Sequence, residues 1–251
     1  GVNSINWGRI VAQTVYYFAA ALALGAPHRP VSFTIPTGNF GNIFAGYVAK
    51  RMGLPIERLV VATNVNDILH RTIETGRYEL REVQATASPS MDIQVSSNFE
   101  RLLFEAEGRD AAAVRTAMAG LGQSGAFTVG AGAHAEIRRH FQSGTASESE
   151  TAATIERTLR QTGLLVDPHT AVGQAVAERH ADPDTPMIVL ATAHPAKFPD
   201  AVEAASGVRP ALPPWTGDLM ERPERFERVA ADLAAVERLI EARSRAVRAA
   251  G

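Results

Sequence analysis

The 251-residue sequence contains no cysteine, which removes disulfide frameworks, thiolate metal sites and cysteine nucleophiles together and leaves the redox compartment open. Lysine is nearly absent too: Lys50 and Lys197 are the only two, and the rest of the 25 basic residues are arginines. Long apolar runs are missing, since Val15 to Leu24 carries two tyrosines and falls short of the roughly 20 residues that span a bilayer. Charge of one sign is missing as well. A net charge of −2 and a pI near 6.4 give no footprint for nucleic acid or an anionic membrane, so neither is expected as a partner. The seven histidines (28, 70, 134, 140, 169, 180 and 194) show no HxxxH or HxH spacing, which argues against a mononuclear metal site. No nucleophile-elbow sequence marks a hydrolase triad, and no internal repeat is visible. What remains is 45% hydrophobic and 21% charged, a soluble globular composition long enough for one large domain or one and a half small ones.

The most informative stretch runs from Val31 to Thr63. Val31 to Ile35 is apolar and β-branched and ends at Pro36; Ile43 to Met52 keeps a helical apolar face until Gly53 and Pro55; Leu59 to Ala62 reads as a buried parallel strand. Between the first strand and the helix lies Thr37-Gly38-Asn39-Phe40-Gly41-Asn42. Its glycines permit close backbone approach, and its N–H groups sit at a helix start carrying about +0.5 of a charge, so a phosphate dianion could be held there without a lysine. The loop is neither a Gly-Lys-Ser/Thr P-loop nor a G-x-G-x-x-G motif, and Thr63 and Asn64 stand where a ribose-binding acid would be expected about 20 residues on. A tight turn without a ligand is the plain alternative.

Elsewhere the elements alternate as in an open parallel sheet. Trp7 to Leu24 predicts a buried helix, Asp67 to Glu74 a short one ended by Gly76, and Asn98 to Glu107 another with Ser97 or Asn98 as cap. Gly108 to Gly132 is rich in alanine and glycine, and within it Phe127 to Gly132 is a weak strand or loop. Ser147 and Glu150 form a capping box for a helix reaching about Gln161; Pro168 begins a helix to Arg179; Met187 to Ala191 suits a central parallel strand. Thr192 is the first polar side chain after that strand and can reach a ligand at the strand ends, although an ordinary strand-terminal threonine reads the same way. His169 and His194 are either pocket-orienting or satisfied structural histidines. Asn3 to Arg9 gathers amides, a hydroxyl and a guanidinium at a helix start: Ser4, Asn6 and Arg9 are candidate substrate contacts, or Asn3 or Ser4 caps the helix. Residues 1–209 are expected to form an α/β domain. Residues 210–251 supply a proline-rich bridge and an amphipathic helix with Phe226, Val229, Leu233, Val236 and Ile240 three and four apart and Arg243, Arg245 and Arg248 at its end. That helix is either core-facing or a docking element.

Six blocks in order, NSINWGRI (3–10), PTGNFGN (36–42), ATNVNDIL (62–69), SPSMDIQVSSNFERLLFE (88–105), DPHTAVG (167–173) and TAHPAKF (192–198), resemble threonine synthase over roughly the first 200 residues. The resemblance implies an α/β fold, an open mostly parallel sheet with helices on both faces, of the fold type II pyridoxal phosphate kind, incomplete, with a C-terminal helical extension. It implies a lyase that converts O-phospho-L-homoserine and water into L-threonine and phosphate in threonine biosynthesis, and a cytoplasmic location is expected with it. Gly38, Asn39, Phe40, Gly41 and Asn42 would hold the phosphate of pyridoxal 5′-phosphate, and the Thr192 hydroxyl would face its ring nitrogen. In that family the Schiff-base lysine comes from an N-terminal half preceding the NSINW block, and neither lysine here maps onto it. The chain is therefore expected to be the C-terminal part of the enzyme, inactive alone and partnered by the missing N-terminal half. A serine or threonine dehydratase of the same fold, or a non-catalytic phosphate-binding fragment, are the competing readings.

Overall fold

The structure, a computed structural model, describes residues 5–245. Helix α1 (Trp7–Ala23) opens it, and Asn6, not Asn3 or Ser4, is its cap: the Asn6 side chain accepts from the Gly8 N–H at 2.9 Å. Strand β1 (Val31–Pro36), helix α2 (Gly41–Arg51) and strand β2 (Ile56–Thr63) follow as the sequence predicts. Helix α3 (Ile68–Thr75) stops at Gly76 in the left-handed region and leads into strand β3 (Arg77–Glu79). Helix α4 (Phe99–Ala106) begins after Asn98, whose amide does not cap it but donates to the Asn39 carbonyl at 3.0 Å.

The alanine- and glycine-rich stretch is more ordered than its composition suggests. It holds helix α5 (Ala111–Ser124), strand β4 (Ala126–Thr128) and helix α6 (Ala131–His140). The Asp110 carboxylate caps α5 by accepting from the N–H groups of Ala112 and Ala113, and the alanines that blur hydrophobic periodicity are strong helix formers. Strand β5 (Phe141–Thr145) follows directly. Helix α7 (Glu148–Thr162) carries both halves of the Ser147 and Glu150 capping box, and helix α8 (Pro168–Arg179) starts with proline in its first turn. Strand β6 (Met187–Val189) ends two residues earlier than predicted, and helix α9 (Pro199–Ser206) follows it.

Four strands form a wholly parallel sheet in the order β5-β2-β1-β6, while β3 and β4 pair antiparallel beside it. The continuously buried strand β1 and the largely buried β2 lie inside the sheet, as their apolar runs require. Strand β6 pairs only with β1 among the described residues, so it is an edge strand here and not the central one expected. Alternate β2 side chains serve opposite faces. Leu59 and Val61 pack into the larger core with Ile43 and Ala45 of α2, whereas Val60 and Ala62 meet Val172 and Val176 of α8. Helices therefore cover both faces.

The chain divides into two compact units, Gly1–Ala211 and Leu212–Gly251. In the second, helix α10 (Leu233–Arg243) is capped by Asp232, whose carboxylate accepts from the Ala235 N–H. Phe226 and Val229 fall outside it, so the predicted helix is shorter than its apolar spacing suggested. No residue of α10 is buried, which is not the core-facing arrangement. Arg248 lies outside the described residues.

Candidate functional site

The turn from β1 into α2 has its carbonyls tied down and its N–H groups left over. Ser96 Oγ donates to the Gly38 carbonyl at 2.8 Å, and the Asn98 N–H and side-chain amide both donate to the Asn39 carbonyl at 3.0 Å. Because a trans peptide sets C=O and the following N–H in opposite directions, these bonds turn the Asn39 and Phe40 N–H groups away from the 96–98 segment. Gly41 and Asn42 occupy the first helical turn, where N–H groups have no intrahelical acceptor. Among the described residues no backbone or side-chain acceptor meets an N–H from Gly38 to Asn42. Such a row of donors at a helix start is chemically suited to an anion. Phe40 makes the turn possible at φ 62°, unusual for a residue with a side chain, and its ring is buried edge-on against Phe99 and tilted against Phe141, at 5.6 and 5.5 Å.

Asn42 is oriented from behind. Its Oδ1 accepts from the Tyr16 hydroxyl at 2.6 Å, and the Tyr17 hydroxyl lies 2.8 Å from its carbonyl and 3.0 Å from the same Oδ1. Burial raises both phenols, Tyr16 to about 12 despite Arg9 and the Asn42 bond and Tyr17 well above its usual 10.0, so both stay protonated donors. With Oδ1 engaged, the Asn42 amide has its N–H₂ face to offer. These tyrosines were missed in the sequence, where they read only as part of an apolar run.

A polar network holds the 86–94 segment against the loop. Asp92 accepts from the Thr86 N–H and hydroxyl and from the Asn64 and Asn66 amides, at 2.7 to 3.0 Å. This sets Ser90 so close to Gly38 that a Cβ there would lie 2.7 Å from the Ser90 carbonyl oxygen. Ser90 donates its N–H to His169 Nε2 at 3.2 Å, and that assignment leaves the proton on Nδ1, which donates to Asp167 at 2.9 Å. Asp167 also caps α8 and accepts from the Thr170 hydroxyl. His169 is thus a satisfied, buried group whose tilted stack on Phe198, 4.7 Å away, closes the same wall.

These pieces enclose a cavity of about 800 Å³ lined by the whole loop from Thr37 to Asn42, by Arg9, Gln13 and Tyr16 of α1, by Ser90 and His169, and by Leu190 to Ala193 with Lys197. Gly38, Asn39, Phe40, Gly41, Asn42, Thr192 and Arg9, each singled out in the sequence, share this one space. Asn6 does not line it and serves as the α1 cap; Ser4 lies outside the described residues. The position is set by topology. Strand β1 leads outward through β2 to β5, and the chain then returns through α8 to place β6 on the other side of β1, so the connections diverge between β1 and β6. Ligands of open α/β sheets bind at such a switch point, at the strand carboxyl ends. The lining carries two cations, Arg9 and Lys197, and no carboxylate. Among the described residues no group of histidines and acids could hold a metal ion, and no helix is long and apolar enough to cross a membrane.

A parallel sheet covered on both faces, with a helix-start anion loop at its switch point, is the fold type II architecture of pyridoxal phosphate enzymes, here incomplete. Residues 170–240 match the family model described as threonine synthase, C-terminal. The chain is 52% identical over 241 residues to threonine synthase of Pseudomonas aeruginosa, covering 95% of this chain and 51% of that protein. It superposes on a PLP-bound threonine synthase from Brucella melitensis with a TM-score of 0.91 and 63% identity, over 98% of this chain and 53% of that one. For yeast threonine synthase the values are 0.84 and 40%, over 96% and 53%. The chain matches the C-terminal part of threonine synthases and spans about half the length of these relatives.

Proposed function

We propose that this chain is the C-terminal part of a threonine synthase that uses pyridoxal 5′-phosphate to convert O-phospho-L-homoserine and water into L-threonine and phosphate. The observation that carries it is the loop from Gly38 to Asn42, whose N–H groups meet no acceptor among the described residues and which lines the same cavity as Thr192. The residues fit the cofactor: the loop is an anion cradle without a lysine, and the Gly38 position admits no side chain beside Ser90. Gly38, Asn39, Phe40, Gly41 and Asn42 would hold the cofactor phosphate through backbone N–H groups, with the Asn42 amide added. Thr192 would offer a neutral hydroxyl to the ring nitrogen, which, unlike a carboxylate, does not hold that nitrogen protonated. When bound, the cofactor supplies an electron sink for carbanion chemistry at the substrate. Arg9 brings a planar fork for a substrate carboxylate or phosphate. The lysine that carries the cofactor would come from the N-terminal half of the full-length protein.

Activity of the full-length protein decides the reading. Threonine and phosphate released from O-phospho-L-homoserine, with no keto acid and ammonia from L-serine or L-threonine, is expected. The reverse pattern would assign a dehydratase.

A further inference from the structure

The geometry points to Lys197, with Arg9, as the holder of a second anionic group in the cavity, the phosphate monoester of the substrate. The inference rests on the cofactor reading above, because only if the loop takes the cofactor phosphate do the two cations remain for another anion. The cavity has two distinct kinds of anion donor. One is the neutral row of N–H groups at the start of α2; the other is the pair of full charges contributed by α1 and by the 3₁₀ turn Pro195–Lys197. A ligand with one phosphate would need only the first.

The two cations are also uncommitted. Neither Arg9 nor Lys197 forms an ion pair among the described residues. With no carboxylate in the lining, their charge is not neutralised locally and the cavity favours a multiply charged anion. Lys197 is solvent-exposed at the rim of the cavity, its ammonium 5.8 Å from the centre of the Phe198 ring, and Phe198 in turn lies against His169 in the cavity wall. His194 fixes the turn that carries it by accepting from the Ala196 N–H at 3.2 Å. Lys197 is the one lysine near the site, and an ammonium suits a phosphate as a compact point charge.

The test uses the full-length protein loaded with pyridoxal 5′-phosphate and inorganic phosphate as probe. Lys197→Met is expected to keep the cofactor affinity, read from its absorption band, within about twofold. It should weaken competitive inhibition by inorganic phosphate by about tenfold or more, the loss expected for one charge-assisted hydrogen bond, with KM for O-phospho-L-homoserine raised alongside. Lys197→Arg should restore most of the phosphate affinity, which a merely structural role would not predict. Lys197→Gln provides a second neutral variant should the methionine variant misfold. Unchanged phosphate inhibition in both neutral variants overturns the inference, as does a tenfold loss of cofactor affinity, or cofactor mass on Lys197 after borohydride reduction. A failure of the cofactor reading is recognised separately, by wild-type protein that binds no cofactor.

Discussion

Gly38 and Asn42 carry the sharpest consequences at the scale of single residues. An alanine at position 38 would put its Cβ against the Ser90 carbonyl, backbone held by the Asp92 network and unable to swing aside. Overpacking of this kind costs about 1–3 kcal/mol. Gly38→Ala is therefore expected to weaken pyridoxal phosphate binding by the full-length protein by about five- to a hundredfold in an absorption titration. If Asn42 donates to the cofactor phosphate as proposed, Asn42→Ala removes a donor to a dianion, a loss of about 1.5–3 kcal/mol, and should weaken the same binding about ten- to a hundredfold; an unchanged affinity would remove Asn42 from the cradle. Tyr16→Phe leaves the donor in place but unpins it, so a smaller loss is expected. Phe40 is held in a left-handed backbone by aromatic packing on both sides, and Phe40→Ala should lower unfolding stability by about 3–5 kcal/mol in denaturant titrations.

Among the elements, α1 and α2 cross closely because Gly46 has no side chain: a Cβ there would lie 2.7 Å from the Tyr17 ring. That contact is what brings the Tyr17 hydroxyl to Asn42. A pH response belongs at this scale too. His140 at the end of α6 and His180 at the end of α8 are both lowered from 6.5, first by burial, and only in part restored by Glu136 for His140 and by the Ser143 backbone for His180. A lowered folded-state value means that the unfolded chain binds more protons, so stability rises with pH through this region and levels off above about 6.5. Thermal midpoints of the full-length protein should fall as the pH is taken from 7.5 to 5.5. His140→Phe, whose ring would still meet Tyr47, should flatten that fall, and a slope identical to wild type would assign the response elsewhere.

For the whole molecule, the 1–209 and 210–251 division remains our proposal for how the chain is organised. Between the end of α9 at Ser206 and the start of α10 at Leu233 the only regular structure among the described residues is the short turn Pro214–Thr216, and Trp215 and Met220 are about four-fifths exposed. Limited proteolysis of the full-length protein should therefore cut first between Gly207 and Asp232. Initial cleavage inside β1, α2 or β2 would contradict the division. Since the relatives are about twice as long, catalytic assays belong to the full-length protein.

Sequence alone determined most of what is local. Buried parallel strands announced themselves by β-branched apolar runs, α7 and α8 by a capping box and a first-turn proline, and the anion loop by glycines between a strand and a helix. These signals were legible because each acts within a few residues. Sequence did not reveal β5, whose polar residues suit a sheet edge, nor α5, whose alanines carry little periodicity, and it extended the last helix back over Phe226, where spacing alone resembled a helical face. Only the tertiary structure decided that Arg9, Thr192 and Lys197 meet the loop, that Asn6 is a cap, and that two tyrosines from one helix aim an asparagine on another. Those relations depend on chain segments up to about 190 residues apart being folded onto one switch point, and no local pattern records where the sheet's connections diverge.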